Sequence, residues 1–598
     1  MKEAAPKAEV AAAKPEVPVV APTPTPAALP LVAGRRPVAI ISAATIEKML
    51  AELTVMGELT GQGPLAAKLE RGYTPILAEL DRTRPAGIYW LLDERDDEFV
   101  VFLPLKSAEG FRRLLTRAFG PVEEQPDGAL KFGSFAYKEV GTWGYLAAKV
   151  EDLKDLLDDP TVLRRDMNAT HTFTVRIDPE GFSPWMKRKE AENASDRFEF
   201  DPSLPRDPLT TYDLFNMWQI AASSEAADGA HVMDFGWSIT KERTKTWAAL
   251  DIKIVPKPGT SLATRLATSV PKQLPLAGFQ LDDAKLYCRR VGVVTDNDRK
   301  FSAKLYDLIK EDIQNDFDFR GQRPEDRAAG LVRVEAQKAL FDLLLGDEFL
   351  DHAIVSTGVS QFRDDHAMVV GLAGSKHKPI EGVLSELFTE LKRQGVYVDP
   401  GEEVVHGVKL RRVRLQTGTK FTAGWGKPIL KLLEGSTYWI VGSAPGRIYL
   451  ASGTKEDVLL RRVLEGAQQQ SDTPSESLKL RLTSVELAKL LGRYEIARVE
   501  SLSPVLHPPA EDVVTVVAHT TPGAWTLRAD FGPGAVEIGS QLARRALPHP
   551  NTYSMFGWPD SSRIVPWSGL YRGRYNFRSP YNDRLPPGYR SPLDRRFP

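Results

Sequence analysis

Residues 87–119 read GIYWLL (87–92), DERDD (93–97), EFVVFLPL (98–105) and KSAEGFRRLLTRAF (106–119). An apolar run, a charged reversal, a second apolar run and an amphipathic stretch predict a β-hairpin leading into a helix. Ser107, just ahead of Glu109, is placed to cap that helix.

The same order of parts recurs along the chain. FAYKEV (135–140) and WGYLAA (143–148) precede VEDLKDLLDD. MDFGWSIT (233–240) and KTWAALDIKI (245–254) precede TSLATRLATSV, with Thr260 and Ser261 at the helix start. AIVSTGVSQ (353–361) and HAMVVGLAG (366–374) precede PIEGVLSELFTELKR. TYWIVGS (437–443) and RIYLASG (447–453) precede TKEDVLLRRVLEG. DVVTVVAHT (512–520) and WTLRADFG (525–532) precede AVEIGSQLARR. Gly, Pro and Asp fill the reversals. The intervals are unequal, which argues against a solenoid. The predicted fold is α+β: repeated β-hairpin–helix units forming antiparallel sheets, with helices on one face and a helical insert.

A chain of 598 residues exceeds one core. The segments expected are a Pro/Ala-rich disordered linker (1–36), an α+β domain with two hairpin–helix units (37–170), a third unit with helical segments (171–350), an α+β domain with two units (351–470), a terminal unit (471–548) and an extended tail (549–598). Residues 285–350 read as predominantly helical, and 467–477 as a linker or long loop. The linker suits a plain tail or a spacer after an export signal upstream. The expected location is therefore the periplasm or cell surface if such a signal precedes it, and the cytoplasm otherwise.

The composition is 42% hydrophobic and 26% charged, with a net charge of -1. That argues against a global polyanion-binding field, so nucleic acid is not the expected partner. No apolar run approaches the roughly 20 residues of a membrane-spanning helix. The lone Cys288 allows no internal disulfide, and its expected role is structural, although Arg289 and Arg290 beside it could lower its pKa.

Asp364, Asp365 and His366 resemble metal ligands but fit a solvated hairpin turn better. Gly424-Trp425-Gly426-Lys427 resembles the end of a phosphate loop, but Phe421 and Pro428 stand where glycine and Ser/Thr are required. Glu151, Asp152, Glu456 and Asp457 suit helix N-termini. No catalytic residue, metal ligand or cofactor is predicted.

The tail is the one distinctive stretch. Trp558, Trp567, Tyr571, Arg572, Arg574, Tyr575, Phe577, Arg578, Tyr581, Tyr589 and Arg590 interleave aromatics with guanidinium groups. Such a segment can hold a protein or cell-envelope component, or strap its own domain.

The runs RPVAIISAATIEKMLAELTVMGELTGQ (36–62), RPAGIYWLL (84–92) with FVVFLPL (99–105), GTWGYLAAKVEDLKDLLDDP (141–160) and FGWSITKERTKTWAALDIKIVPKPGTSLATRLA (235–267) resemble a group of large exported proteins of planctomycete-type bacteria. The resemblance covers roughly residues 37–545. It implies export and supplies no catalytic residues. The expected function is that of a non-catalytic structural or interaction protein of the periplasm or envelope. An enzyme with a site assembled from distant loops, or a periplasmic ligand-binding protein, are the alternatives.

Overall fold

Residues 87–119 fold as their pattern predicts. Ala86–Leu92 and Asp97–Pro104 pair antiparallel, with Tyr89 opposite Val100, and helix Ala108–Phe119 follows. The Ser107 side chain accepts from the Gly110 N–H at 2.9 Å. The computed structural model describes residues 32, 34–61, 63–92, 97–164, 171–182, 225–242, 245–268, parts of 275–307, 349–358, 367–374, 380–393, 397–399, 401–414, 438–453, 455–467, 476–493, 512–521 and 523–546.

In the first half the elements are β1 (Ala39–Ala43), α1 (Ile46–Leu59), α2 (Gly63–Ala78), β2 (Ala86–Leu92), β3 (Asp97–Pro104) and α3 (Ala108–Phe119). A meander follows: β4 (Glu123–Glu124), β5 (Leu130–Phe132), β6 (Phe135–Val140) and β7 (Trp143–Ala147). Then come β8 (Phe173–Ile177), β9 (Ala230–Glu242), β10 (Lys245–Pro256) and α4 (Ser261–Thr268). The second half has β11 (Leu286–Val293), β12 (Phe349–Ser356), β13 (Ala367–Gly374), α5 (Ile380–Arg393), β14 (Tyr397–Val398), β15 (Glu403–Val405), β16 (Val408–Arg414), β17 (Tyr438–Ala444), β18 (Arg447–Gly453) and α6 (Glu456–Gly466). It ends with β19 (Glu476–Thr483), α7 (Ser484–Arg493), β20 (Val513–Thr521), β21 (Ala524–Phe531) and α8 (Pro533–Ala546).

These strands form one sheet, and the fold belongs to the α+β class. From edge to edge the order is β4-β5-β6-β7-β3-β2-β1-β8-β9-β10-β21-β20-β19-β11-β12-β13-β18-β17-β16-β15, with β14 also beside β16. Every pairing is antiparallel. Read from either edge inward, the two halves run through the same succession of strands, and β10 meets β21 at the seam. The sheet is continuous past residues 170, 350 and 470, and β12 itself straddles position 350.

The helices do not share one face. In the first half, Ile46 and the α3 residues Phe111 and Leu115 join Tyr137, Phe132 and Leu105 on one side. Tyr89, Leu91, Val100, Phe102 and Tyr145 join Val32 and Leu153 on the other. In the second half, Leu384 and Phe388 of α5 cover Leu372 and Ile448, whereas Leu459, Leu460 and Val463 of α6 belong to the core of Val369, Ala451 and Ile440. The expectation of one covered face fails because these strands are apolar on both faces, so both must be buried. In β13, Val370 and Leu372 face α5, while Ala367, Val369 and Gly371 face away.

Three further expectations are corrected. Val32 is fully buried and Arg35 is engaged in ion pairs, so these two residues, assigned by sequence to the linker, belong to the folded part. Residues 286–293, read as part of a helical region, form β11, because Tyr287, Arg289 and Val291 alternate with Leu286, Cys288 and Arg290 and find β12 and β19 on either side. After β7, the expected helix shrinks to a single 3-10 turn at Val150–Leu153, closed off by extended Lys154 and left-handed Asp155 (φ 46°).

Candidate functional site

On the central strands the two faces of the sheet differ sharply. Ala230, Met233, Ile254 and Trp525 lie under Leu262 and Leu266 of α4. The opposite face carries Thr174 and Arg176 on β8, Asp234 and Gly236 on β9, Asp251 and Lys253 on β10, Thr526 and Arg528 on β21, and His519 on β20. Period-two alternation puts them there, and the register sets them side by side: Arg176 opposite Asp234, Thr174 opposite Gly236, Asp251 opposite Arg528, Lys253 opposite Thr526, and Thr526 opposite His519. A cavity of about 430 Å³ opens over this face. Its lining includes Thr174, Asp234, Gly236, Asp251, Lys253, His519, Thr526 and Arg528, drawn from both halves of the chain.

Most charges on this face are held by one another. Arg176, buried, donates from Nε and Nη2 to the two oxygens of Asp234 at 2.8 and 2.9 Å. Asp251 Oδ2 meets Arg528 Nη1 at 3.1 Å and His171 Nε2 at 2.5 Å. Arg528 also reaches Asp530 at 2.8 Å. The His171 ring is 2% exposed and packs against Gly236, where a Cβ would stand 2.2 Å from its Cδ2. Glycine in mid-strand is therefore what admits the imidazole. Nearby, burial pushes the Glu52 carboxyl of α1 up, against the opposing pull of a Thr172 hydrogen bond.

A second polar cluster lies under the first half's meander. Arg35 Nη1 donates to Glu98 Oε2 at 2.8 Å, and its Nη2 reaches Asp152; Lys149 pairs with Glu98. Burial and the adjoining Glu98 carboxylate push Asp152 up to about 6. Burial acts on Glu98 in the same sense, but hydrogen bonds from Asp152, Lys149 and Arg35 outweigh it and draw Glu98 down to about 2. Asp152 is thus more than a helix-terminal acid. Glu456 and Asp457 do occupy the first turn of α6. A third buried pair, Arg289 with Asp351, is bidentate at 2.9 Å on each arm, and the Leu276 N–H adds a bond to Asp351 Oδ2.

Cys288 sits on β11 facing away from Arg289. Burial raises its thiol pKa against a weaker pull from Arg290, as suits a structural cysteine. The eleven tail residues from Trp558 to Arg590, the Asp364–His366 turn and the Gly424–Lys427 stretch lie outside the described residues. Among the described residues no cluster of three or more His, Cys, Asp or Glu could hold a metal, and no helix is long and apolar enough to cross a membrane. Sequence reading missed His171, Asp251 and Arg528. Their one local sign is Gly236 inside an otherwise bulky strand, which marks a close approach.

Comparison with family models, curated proteins and solved structures finds no match for the chain.

Proposed function

We propose that the chain is a non-catalytic binding protein of the bacterial periplasm or envelope, and that the polar face of its central strands is the binding surface. One observation carries this reading: the cavity opens where the two halves meet, over a floor whose carboxylates are already held by Arg176, His171 and Arg528. Groups fixed in this way favour recognition by a rigid platform. A volume of about 430 Å³ lies within the roughly 300–1,000 Å³ of small-molecule sites, which favour interfaces between structural units. The envelope location rests on the resemblance of residues 37–545 to exported proteins.

Two finer points belong to this proposal. The matching strand order of the two halves supports a repeated module, within which hairpin–helix units recur. The arginines and aromatics of residues 549–598 support a second contact, with a protein or envelope component.

Native mass spectrometry of the full chain purified from its own source tests the reading. The expected result is a retained small molecule that is lost in Thr526→Trp, which fills the cavity from a half-buried strand position. Turnover of a substrate, abolished by Asp251→Asn with the fold intact, would overturn it in favour of an enzyme.

A further inference from the structure

We infer that the row Lys253–Thr526–His519, with Arg528 beside it, is a subsite for an oxyanion of the ligand, a carboxylate or a phosphate. This deepens the reading of the cavity as a binding site and rests on it.

The register makes the row. Lys253 on β10 stands opposite Thr526 on β21, which stands opposite His519 on β20. Neighbouring strands lie about 4.8 Å apart, so an ammonium, a hydroxyl and an imidazole follow one another across the floor. All three line the cavity, and so does Arg528, one row away. Each of these groups can donate a hydrogen bond, and the Lys and Arg donors are cationic.

The pairing of charges on the floor, where Arg176 is held by Asp234 and Arg528 by Asp251 and Asp530, gives the sign of the ligand. Lys253 is exposed, and its neighbour across β9 is Asp234. Both Asp234 oxygens are taken by Arg176. Two residues along β10, Asp251 is taken by His171 and Arg528. Lys253 therefore has no ion-pair partner among the described residues, although acids flank it. An arriving cation would have to compete with Arg176, His171 or Arg528 for a carboxylate. An arriving oxyanion would meet Lys253 directly and the hydroxyl of Thr526 next to it. Charge-assisted hydrogen bonds of this kind are stronger than neutral ones.

Isothermal titration of the full chain at low salt, with citrate and with inorganic phosphate as probes, tests the assignment. Saturable binding at one site is expected, weakened about tenfold or more in Lys253→Met and by a smaller factor in Thr526→Val. Lys131→Met, on β5 far along the sheet, should bind as the parent does. Lys253 is exposed, so its variant should keep the parent's circular dichroism. The stronger of the two probes tells a carboxylate site from a phosphate site. Equal binding by the parent and Lys253→Met, or no saturable heat with either anion, would overturn the assignment. If spermidine or maltose instead binds saturably and Thr526→Trp abolishes it, the cavity remains a binding site and the oxyanion subsite is refuted.

Discussion

Asp251 and Arg528 stand directly opposite each other on β10 and β21, and their side chains meet at 3.1 Å across the seam between the two halves of the chain. The contact joins residues 277 positions apart. The same Asp251 oxygen also meets the buried His171 ring, so the two ends of this short chain of contacts differ in worth. Arg528 is half exposed, and its removal as Arg528→Ala should cost under about 1 kcal/mol. Asp251→Ala leaves a buried imidazole nitrogen without its acceptor and should cost about 1–3 kcal/mol. Urea denaturation of both variants checks this; equal losses would show that His171 gains nothing from Asp251.

Gly236→Ala places a methyl group against the His171 ring. Overpacking of this kind costs about 1–3 kcal/mol. Pairing the change with His171→Ala should recover much of the loss, because the clash partner is gone. A double variant no better than Gly236→Ala alone would place the strain elsewhere.

Asp351 is completely buried and held by Arg289 and the Leu276 N–H. Removing one partner of such a pair strands the other charge, at about 3–5 kcal/mol. Arg289→Met should therefore destabilise far more than Arg462→Met, whose partner Asp283 is exposed. Thermal melts of the two variants make the comparison, and similar shifts in Tm would contradict it.

The Glu98–Asp152 pair gives stability a particular pH dependence. Asp152 titrates near 6 in the fold against an ordinary 3.8, so the folded chain holds a proton there that the unfolded chain lacks. That contribution is present below 3.8 and is lost as pH rises through 6. Glu98, drawn to about 2 from 4.5, works in the other sense: its contribution is present above 4.5 and is lost as pH falls toward 2. The cluster should stabilise most between 3.8 and 4.5. Asp152→Asn should remove the decline between 4.5 and 6. Urea midpoints measured across this range for the parent and the variant would refute the assignment if the two slopes coincided.

Deleting residues 549–598 should leave the melting of the core unchanged while abolishing co-purification of its partner. Loss of the terminal part's fold on deletion would instead make the tail a strap on its own domain.

The hairpins were legible because each is local: two apolar runs and a reversal lie within about 20 residues of each other. The strands β8, β11 and β19 were not. Each is interrupted by charge, as in LYCRRVGV, and pairs only with strands distant in sequence; Arg289 reads as a solvent residue until Asp351 is brought to it from 62 positions away. Helix caps at Ser107 and Thr260 were visible for the same local reason, and both accept N–H bonds as expected. The cavity was hidden because its residues come from five strands, β8, β9, β10, β20 and β21, and no fixed spacing ties Thr174 to Arg528. The meaning of Asp152 was hidden likewise. Its sequence position suits a helix start, and only the arrival of Glu98 and Arg35 makes it a shared-proton acid.

The β10–β21 seam also has a consequence for biosynthesis. Strand β10 ends at Pro256, whereas its partner β21 is complete only at Phe531. At about 5–20 residues per second, roughly 15–55 s pass between the synthesis of one and the other. Throughout that interval the nascent first half has a long strand with one row of backbone donors and acceptors uncovered. Such a row is a template for the wrong partner, including the same strand on a neighbouring ribosome. Chaperone demand during translation should therefore centre on Lys245–Pro256, and a message broken before Ala524 would yield a product in which that row never closes.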